Sequence, residues 1–298
     1  MIPSNSFLFL YGAQKSGTTW LSEHLLKTDQ IYNAGVKEWR FWKTYLGSDH
    51  DRVEAIKKFK KRAHSNNNRG AVGESRKFEK RLKMLQDPEN FLRESAGVVT
   101  ASSRYRILAD LTPGTGMALN ESQIVSMSRL VQLWGLKPTA LYLLRDPLQR
   151  AVSELSMRVG NERPNFCVHE KPGTSEYSRQ LDRIVENNLN RLTYRSRADV
   201  TIERATALKA SIPFQTILFD ELFSQATMDQ IALFLGLETI NIDQRQVNHH
   251  DALQLSEGSL RSLALNLRST YRYLKQYFGD QGFPKAWATS LEHFDGKL

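Results

Sequence analysis

Gly12 and Gly17 bracket Ala13-Gln14-Lys15-Ser16 and are followed by Thr18, Thr19 and Trp20. Glycine tolerates backbone angles that a Cβ penalises, so a turn of this composition can aim successive amide N–H groups at one point. Such a point holds a phosphate or a sulfate. Lys15 adds a mobile positive charge, and Ser16, Thr18 and Thr19 add short hydroxyl donors, so the loop can bind an anion and stabilise charge developing on it. A second set of anion-binding residue types stands in Arg145-Asp146-Pro147-Leu148-Gln149-Arg150-Ala151-Val152-Ser153. A guanidinium at Arg145 can fork onto an oxyanion and the Ser153 hydroxyl can add a donor. Arg150 reads instead as a structural arginine, since Asp146 lies four residues before it on the same helix and can pair with it. Between the two sets, Lys37-Glu38-Trp39-Arg40-Phe41-Trp42 alternates charge with aromatic rings, a pattern open both to a surface ion pair and to a positioned carboxylate.

These groups need elements to hold them. The apolar run Phe7 to Tyr11 stops at Gly12, and Trp20, Leu21, His24, Leu25 and Leu26 then recur at helical spacing, so the first unit reads strand, loop, helix. Ile31 to Val36 is a short extended candidate. Tyr105 to Ala109, Thr139 to Leu144 and Gln215 to Phe219 read as further buried strands, with Asp110, Arg145 and Asp220 directly after them. Asp110 is either an acid facing a ligand crevice or a turn former ahead of Thr112-Pro113. Helices are expected over about 120–134, 176–194, 199–210 and 256–278, the last a stripe of Leu260, Leu263, Leu267, Tyr271, Leu274 and Phe278 suited to core packing. Strands that alternate with helices predict an α/β fold, an open and mostly parallel sheet of P-loop type flanked by helices.

At 298 residues with 40% hydrophobic and 24% charged, the chain suits a single domain, 1–298. No apolar run approaches the roughly 20 residues that span a bilayer, and a cytoplasmic protein is expected. The single cysteine, Cys167, forbids an intramolecular disulfide and a cysteine-based zinc site. His249-His250 lacks a third spaced ligand, so no metal is expected and the 247–251 segment reads as a loop over the ligand site at most. The net charge of +9 has an address: residues 52–83 hold twelve Lys or Arg against three acids, and the rest of the chain is neutral. This falls in a stretch, about 48–100, that reads as a basic insertion or lid. Its field suits an anionic partner, or it is a solvated helix face.

A Walker NTPase loop places its lysine directly after the second glycine. Here Thr18 holds that position and Lys15 lies inside the loop, which disfavours an ATP- and magnesium-dependent kinase. The Gly12 to Trp20 stretch resembles the 5′-phosphosulfate loop of the sulfotransferase family, and Arg145-Asp146-Pro147 with Arg150 and Ser153 resembles that family's 3′-phosphate motif. The resemblance implies 3′-phosphoadenosine 5′-phosphosulfate (PAPS) as donor. It implies that Gly12, Lys15, Ser16, Gly17, Thr18 and Thr19 hold the 5′ end, that Trp20 stacks on adenine, and that Arg145 and Ser153 take the 3′-phosphate. Lys37-Glu38 with Phe41 is similar to the K-E-x-x-F pattern of heparan sulfate and related bacterial carbohydrate sulfotransferases, whose glutamate is the general base. Glu38 is the base this implies, with Lys37 orienting the acceptor and Lys15 stabilising the leaving group. Asp110-Leu111-Thr112-Pro113 resembles the acceptor-side segment, with Asp110 and Trp39 as candidate acceptor contacts. Phe219 to Leu222 and Phe234 to Leu237 resemble the family's late pattern. Leu111 stands where heparan-type members often carry a lysine and Thr115 where they carry an aromatic, so their acceptor contacts do not transfer. A Lys- and Gly-rich late donor loop is not evident. The implied reaction is sulfuryl transfer to a hydroxyl, with a carbohydrate or other alcohol, an anionic carbohydrate or glycolipid among them, as acceptor. No nucleic-acid partner is expected. The alternatives are a P-loop kinase and a noncatalytic polyanion-binding protein.

Overall fold

The strand β1 (Ser6–Gly12) is buried at every position because it is the middle strand of a five-stranded sheet. In the computed structural model, which describes residues 5–67, 72–209, 211–243 and 253–294, it is followed by α1 (Thr18–Leu26), β2 (Ile31–Tyr32), α2 (Trp42–Tyr45), α3 (Asp49–Asn67), α4 (Val72–Gln86) and α5 (Pro88–Thr100). Then come β3 (Ile107–Asp110), α6 (Thr115–Ala118), α7 (Glu121–Leu133), β4 (Lys137–Leu144), α8 (Pro147–Gly160), α9 (Ser175–Tyr194), α10 (Ala198–Ala207) and β5 (Phe214–Leu218). The C-terminal part is helical, with α11 (Gln225–Leu235), α12 (Glu257–Asn266), α13 (Arg268–Gly282) and α14 (Ala288–Glu292).

The strand order is β2-β3-β1-β4-β5 and every pairing is parallel. A parallel sheet covered on both faces reads as a continuous apolar run. The strand period of two then divides the run between layers: Phe7, Phe9 and Tyr11 enter one core with Ala140, Tyr142 and Leu144, while Leu8 and Leu10 enter the other with Leu141 and Leu143. In the first core Trp39 and Trp42 pack edge-on against Phe7 at 5.5 and 5.8 Å, and Phe91 of α5 meets Trp39 at 4.9 Å. Each such pair adds roughly 0.5–1.5 kcal/mol beyond its buried area, so residues 39–42 are pinned to the sheet. Among the described residues no helix is long and apolar enough to cross a membrane.

Three elements differ from the sequence expectation. β2 stops at Tyr32, and the chain turns at Ala34 and Gly35, whose φ angles are 52° and 70°, with the Gly35 amide donating to the Asn33 side chain at 3.0 Å. The closing helix is broken at Leu267, although Leu263, Leu267, Tyr271 and Leu274 all remain in the core. The stretch 48–100 has two parts. α3 and α4 form the basic pair, whereas α5 packs Leu92, Ala96 and Val99 into the main core ahead of β3.

β3 and β4 lie on opposite sides of β1, so the connections that leave their carboxyl ends diverge and open a crevice there. The glycine loop after β1, the turn after Asp110 and the helix entry after Leu144 all meet at that edge.

Candidate active site

The loop after β1 delivers an uncapped helix terminus. Gly17 is the N-cap of α1 with φ 79°, it supplies no capping side chain, and the first turn holds no acid. The first-turn amides of a helix have no intrahelical acceptor, and their partial positive charge favours an anion. A Cβ on Gly17 would stand 2.5 Å from Leu222, and one on Gly12 would stand 2.9 Å from the Pro113 carbonyl oxygen, so both glycines let neighbouring segments close on the loop. Lys15 adopts φ 70°, a left-handed conformation uncommon for a side-chain-bearing residue. Burial, then the Arg145 guanidinium, lowers the Lys15 pKa. Ser16 Oγ is buried in the loop without a partner.

Two arginines support the loop from below. Arg145, at the end of β4, donates from Nη1 to the Lys15 carbonyl at 2.9 Å and lies over the Phe219 ring at 4.5 Å. Arg150 is buried and donates to Ser196 Oγ at 2.6 Å, to the Leu192 carbonyl at 2.7 Å and to the Gln14 carbonyl at 3.5 Å. It is structural, as expected, but its anionic partner is Glu154 at 2.8 Å rather than Asp146. Asp146 sits at the N-cap of α8, where it accepts from the Leu148 and Gln149 amides and from the Tyr271 hydroxyl. A carboxylate turned back onto the first-turn amides is directed away from a residue one turn further along.

Glu38 stands above the loop at the start of the pinned aromatic segment. The Trp39 amide donates to Asp110 Oδ1 at 3.2 Å, and the Arg40 amide donates to Thr112 Oγ1 at 3.1 Å. The Thr112 amide and hydroxyl both donate to the same Asp110 oxygen. On the other side Arg81 of α4 donates to the Glu38 carbonyl at 2.9 Å. The peptide that carries Glu38 is therefore held from β3 and from the basic helix pair. Arg40, at φ 53°, folds back so that its Nε and Nη2 reach Glu38 Oε2 at 3.0 and 2.8 Å.

Lys15, Thr18, Thr19 and Glu38 line one cleft of about 1090 Å³, shared with Arg40, Thr112 to Thr115, Lys43 and Lys58, and the far end of α8. The anion loop and a carboxylate on its own rigid support thus face the same space. The sulfotransferase domain model matches residues 6–254. The chain belongs to the sulfotransferase domain family. Its fold is similar to that of the sulfotransferase from Alicyclobacillus acidocaldarius, with a TM-score of 0.53 and 17% identity over 96% of this chain and 99% of that one. A sulfotransferase domain from the curacin biosynthetic pathway aligns over 100% of this chain and 99% of its own at 12% identity and a TM-score of 0.39. No curated protein matches the chain.

Within this sulfotransferase several expected contacts change character. Trp39 is 1% exposed and its Nε1 donates to the Asn33 carbonyl, so it supports the segment beside Glu38 and offers no surface to an acceptor. Trp20 is 3% exposed, with its ring 4.0 Å from His24 and edge-on to Phe223, so the exposed base-stacking face expected from sequence is absent. Lys37 and Ser153 are half-buried and do not line the cleft. The segment 247–251 lies outside the described residues. Sequence reasoning missed Gln14 and Arg195, whose side chains bond each other beside the loop. Nothing local links two residues so far apart. Arg40 was findable from its position two residues after Glu38.

Asp110 is the turn former of the two readings, buried and with Oδ2 unpartnered. Burial pushes its pKa up to about 6, against the opposing pull of its hydrogen bonds, with a small contribution from the Glu38 charge. The folded protein therefore holds this proton more tightly than the unfolded chain, and Asp110 lowers stability as pH rises from about 4 to about 6. We predict that Asp110→Asn, which keeps the Oδ1 acceptor and cannot ionise, flattens this part of the stability profile. Urea midpoints at pH 4.5 and 6.5 should differ less in the variant than in the parent. An equal difference in both would assign the pH dependence to other groups.

Proposed function

We propose that this sulfotransferase moves a sulfuryl group from PAPS to an acceptor hydroxyl on a carbohydrate or other alcohol, with Glu38 as general base. The observation that carries the reading is the shared cleft: an uncapped helix terminus with Lys15 at one wall and Glu38 on a separately braced peptide at another. The donor set fits a phosphosulfate, since Lys15, Thr18 and Thr19 are cationic and hydroxylic, the loop amides are directed donors, and the neighbourhood of Lys15 is already cationic. PAPS supplies the sulfuryl group and a bisphosphate leaving group when bound.

In this reading the α1 amides, Lys15, Ser16, Thr18 and Thr19 bind the 5′ end, while Gly12 and Gly17 let the backbone approach it. Arg145 and Ser153 hold the 3′-phosphate. Glu38 accepts the acceptor's hydroxyl proton as the oxygen bonds to sulfur. The bond from sulfur to the bridging phosphate oxygen breaks, and Lys15 with the loop amides stabilises the electron pair left on that oxygen. The residues named need no metal for these roles.

Calorimetric titration with adenosine 3′,5′-bisphosphate tests the donor assignment. We predict binding in the presence of a chelator, with a rise in Tm as ligand accumulates. Binding of ATP alone, and only with magnesium, would overturn it in favour of a kinase.

A further inference from the structure

The cleft holds more positive charge than the proposed donor uses. Eight of its lining residues are cationic, namely Lys15, Arg40, Lys43, Lys58, Arg158, Arg163, Arg191 and Arg195, against the single acid Glu38. Arg40 is paired with Glu38, and Arg158 and Arg195 share Glu154. Among the described residues Arg163 and Arg191 form no ion pair. Both are exposed and both line the cleft, Arg163 just past α8 and Arg191 near the end of α9. The proposed 3′-phosphate anchors, Arg145 and Ser153, do not line the cleft, so this second cationic wall is additional to them.

The wall is built rather than incidental. Arg191 lies 5.4 Å from the centroid of Phe166, which is itself fully buried, and Arg158 lies 5.0 Å from the same ring. A guanidinium stacked on an aromatic face is oriented without losing its charge, and its N–H edge stays available to an oxyanion. The loop that carries Arg163 is tied at both ends. Its amide donates to the Arg158 carbonyl at 3.0 Å, and its carbonyl accepts from the Phe166 amide at 2.8 Å. Asn188 adds a bond to the Asn165 carbonyl at 3.4 Å.

We propose that Arg163 and Arg191 form an anion subsite for the acceptor, so that the substrate is a hydroxylic molecule that also carries a carboxylate or sulfate. This rests on the reading that the loop and Arg145 hold the donor and that Glu38 faces the acceptor. The subsite fixes the acceptor through its charged group and leaves a hydroxyl within the same cleft as Glu38.

The test compares p-nitrophenyl β-D-glucuronide with p-nitrophenyl β-D-glucoside, which share aglycone and ring and differ only at C6, a carboxylate in the first and a hydroxymethyl group in the second. Both are titrated into the full-length protein, free and saturated with adenosine 3′,5′-bisphosphate, and into Arg163→Gln/Arg191→Gln. The expected result is at least tenfold tighter binding of the glucuronide by the parent and loss of that preference in the variant. Bisphosphate affinity should stay within twofold, which also shows that the variant is folded. Equal binding of the two glycosides by the parent, undetectable binding of both, or a preference that survives the double substitution would overturn the subsite. A protein that binds no bisphosphate refutes the donor reading separately, and the glycoside comparison on the free protein still decides this one.

Discussion

We predict that Glu38→Gln leaves bisphosphate affinity within twofold and lowers turnover about 100- to 10,000-fold, the range for loss of a positioned base. Glutamine keeps the length of the side chain and an oxygen for Arg40 to meet, so the cleft should keep its shape. It cannot accept the acceptor's proton at neutral pH. The backbone around it is independent of the carboxylate, because Asp110, Thr112 and Arg81 hold the 38–40 peptides through main-chain groups. A loss of turnover in this variant therefore reports chemistry rather than collapse of the segment. Labelled-sulfate transfer under saturating donor measures it. Turnover within threefold of the parent would remove Glu38 from the base role.

The second large effect is expected at Arg145. Its replacement by Ala should weaken bisphosphate binding about 100-fold, as roughly 3 kcal/mol is the scale for loss of charge-assisted contacts to one phosphate. The structure adds a reason beyond direct contact. Arg145 also holds the Lys15 carbonyl and lies on Phe219, so its loss frees the loop in the conformation that aims its amides. Arg145→Lys should restore only part of the affinity, since an ammonium keeps the charge but has neither the planar fork nor the stacking face. Calorimetry of the three proteins decides this. Unchanged affinity in the alanine variant would place the second phosphate anchor elsewhere.

The positive charge of 52–83 has a more divided role than its sequence suggests. Lys57 is paired with Glu54, Lys80 donates to the Gly35 carbonyl, and Arg81 braces Glu38 from α4. Lys58 lines the cleft. Part of the run is therefore structural support for the carboxylate, and part contributes to the field that an acceptor meets.

The sequence alone determined the parts that depend on neighbours in the chain. The β1 run, the glycine loop, α1, the Asp146 cap and the entry of Arg145 from a strand end all follow from local spacing, because a turn, a cap and an amphipathic face are set within a few residues. The α/β class followed from their alternation. Tertiary structure decided what depends on segments brought from far away. It paired Arg150 with Glu154, buried Trp20 and Trp39 although either could have faced a ligand, and made Asp110 a clamp on the Glu38 peptide. It also set Arg191 over Phe166 and brought it into the cleft that Arg163 lines. Burial and long-range hydrogen bonding arise only when distant surfaces exclude water from each other, and no spacing rule within one segment contains that information.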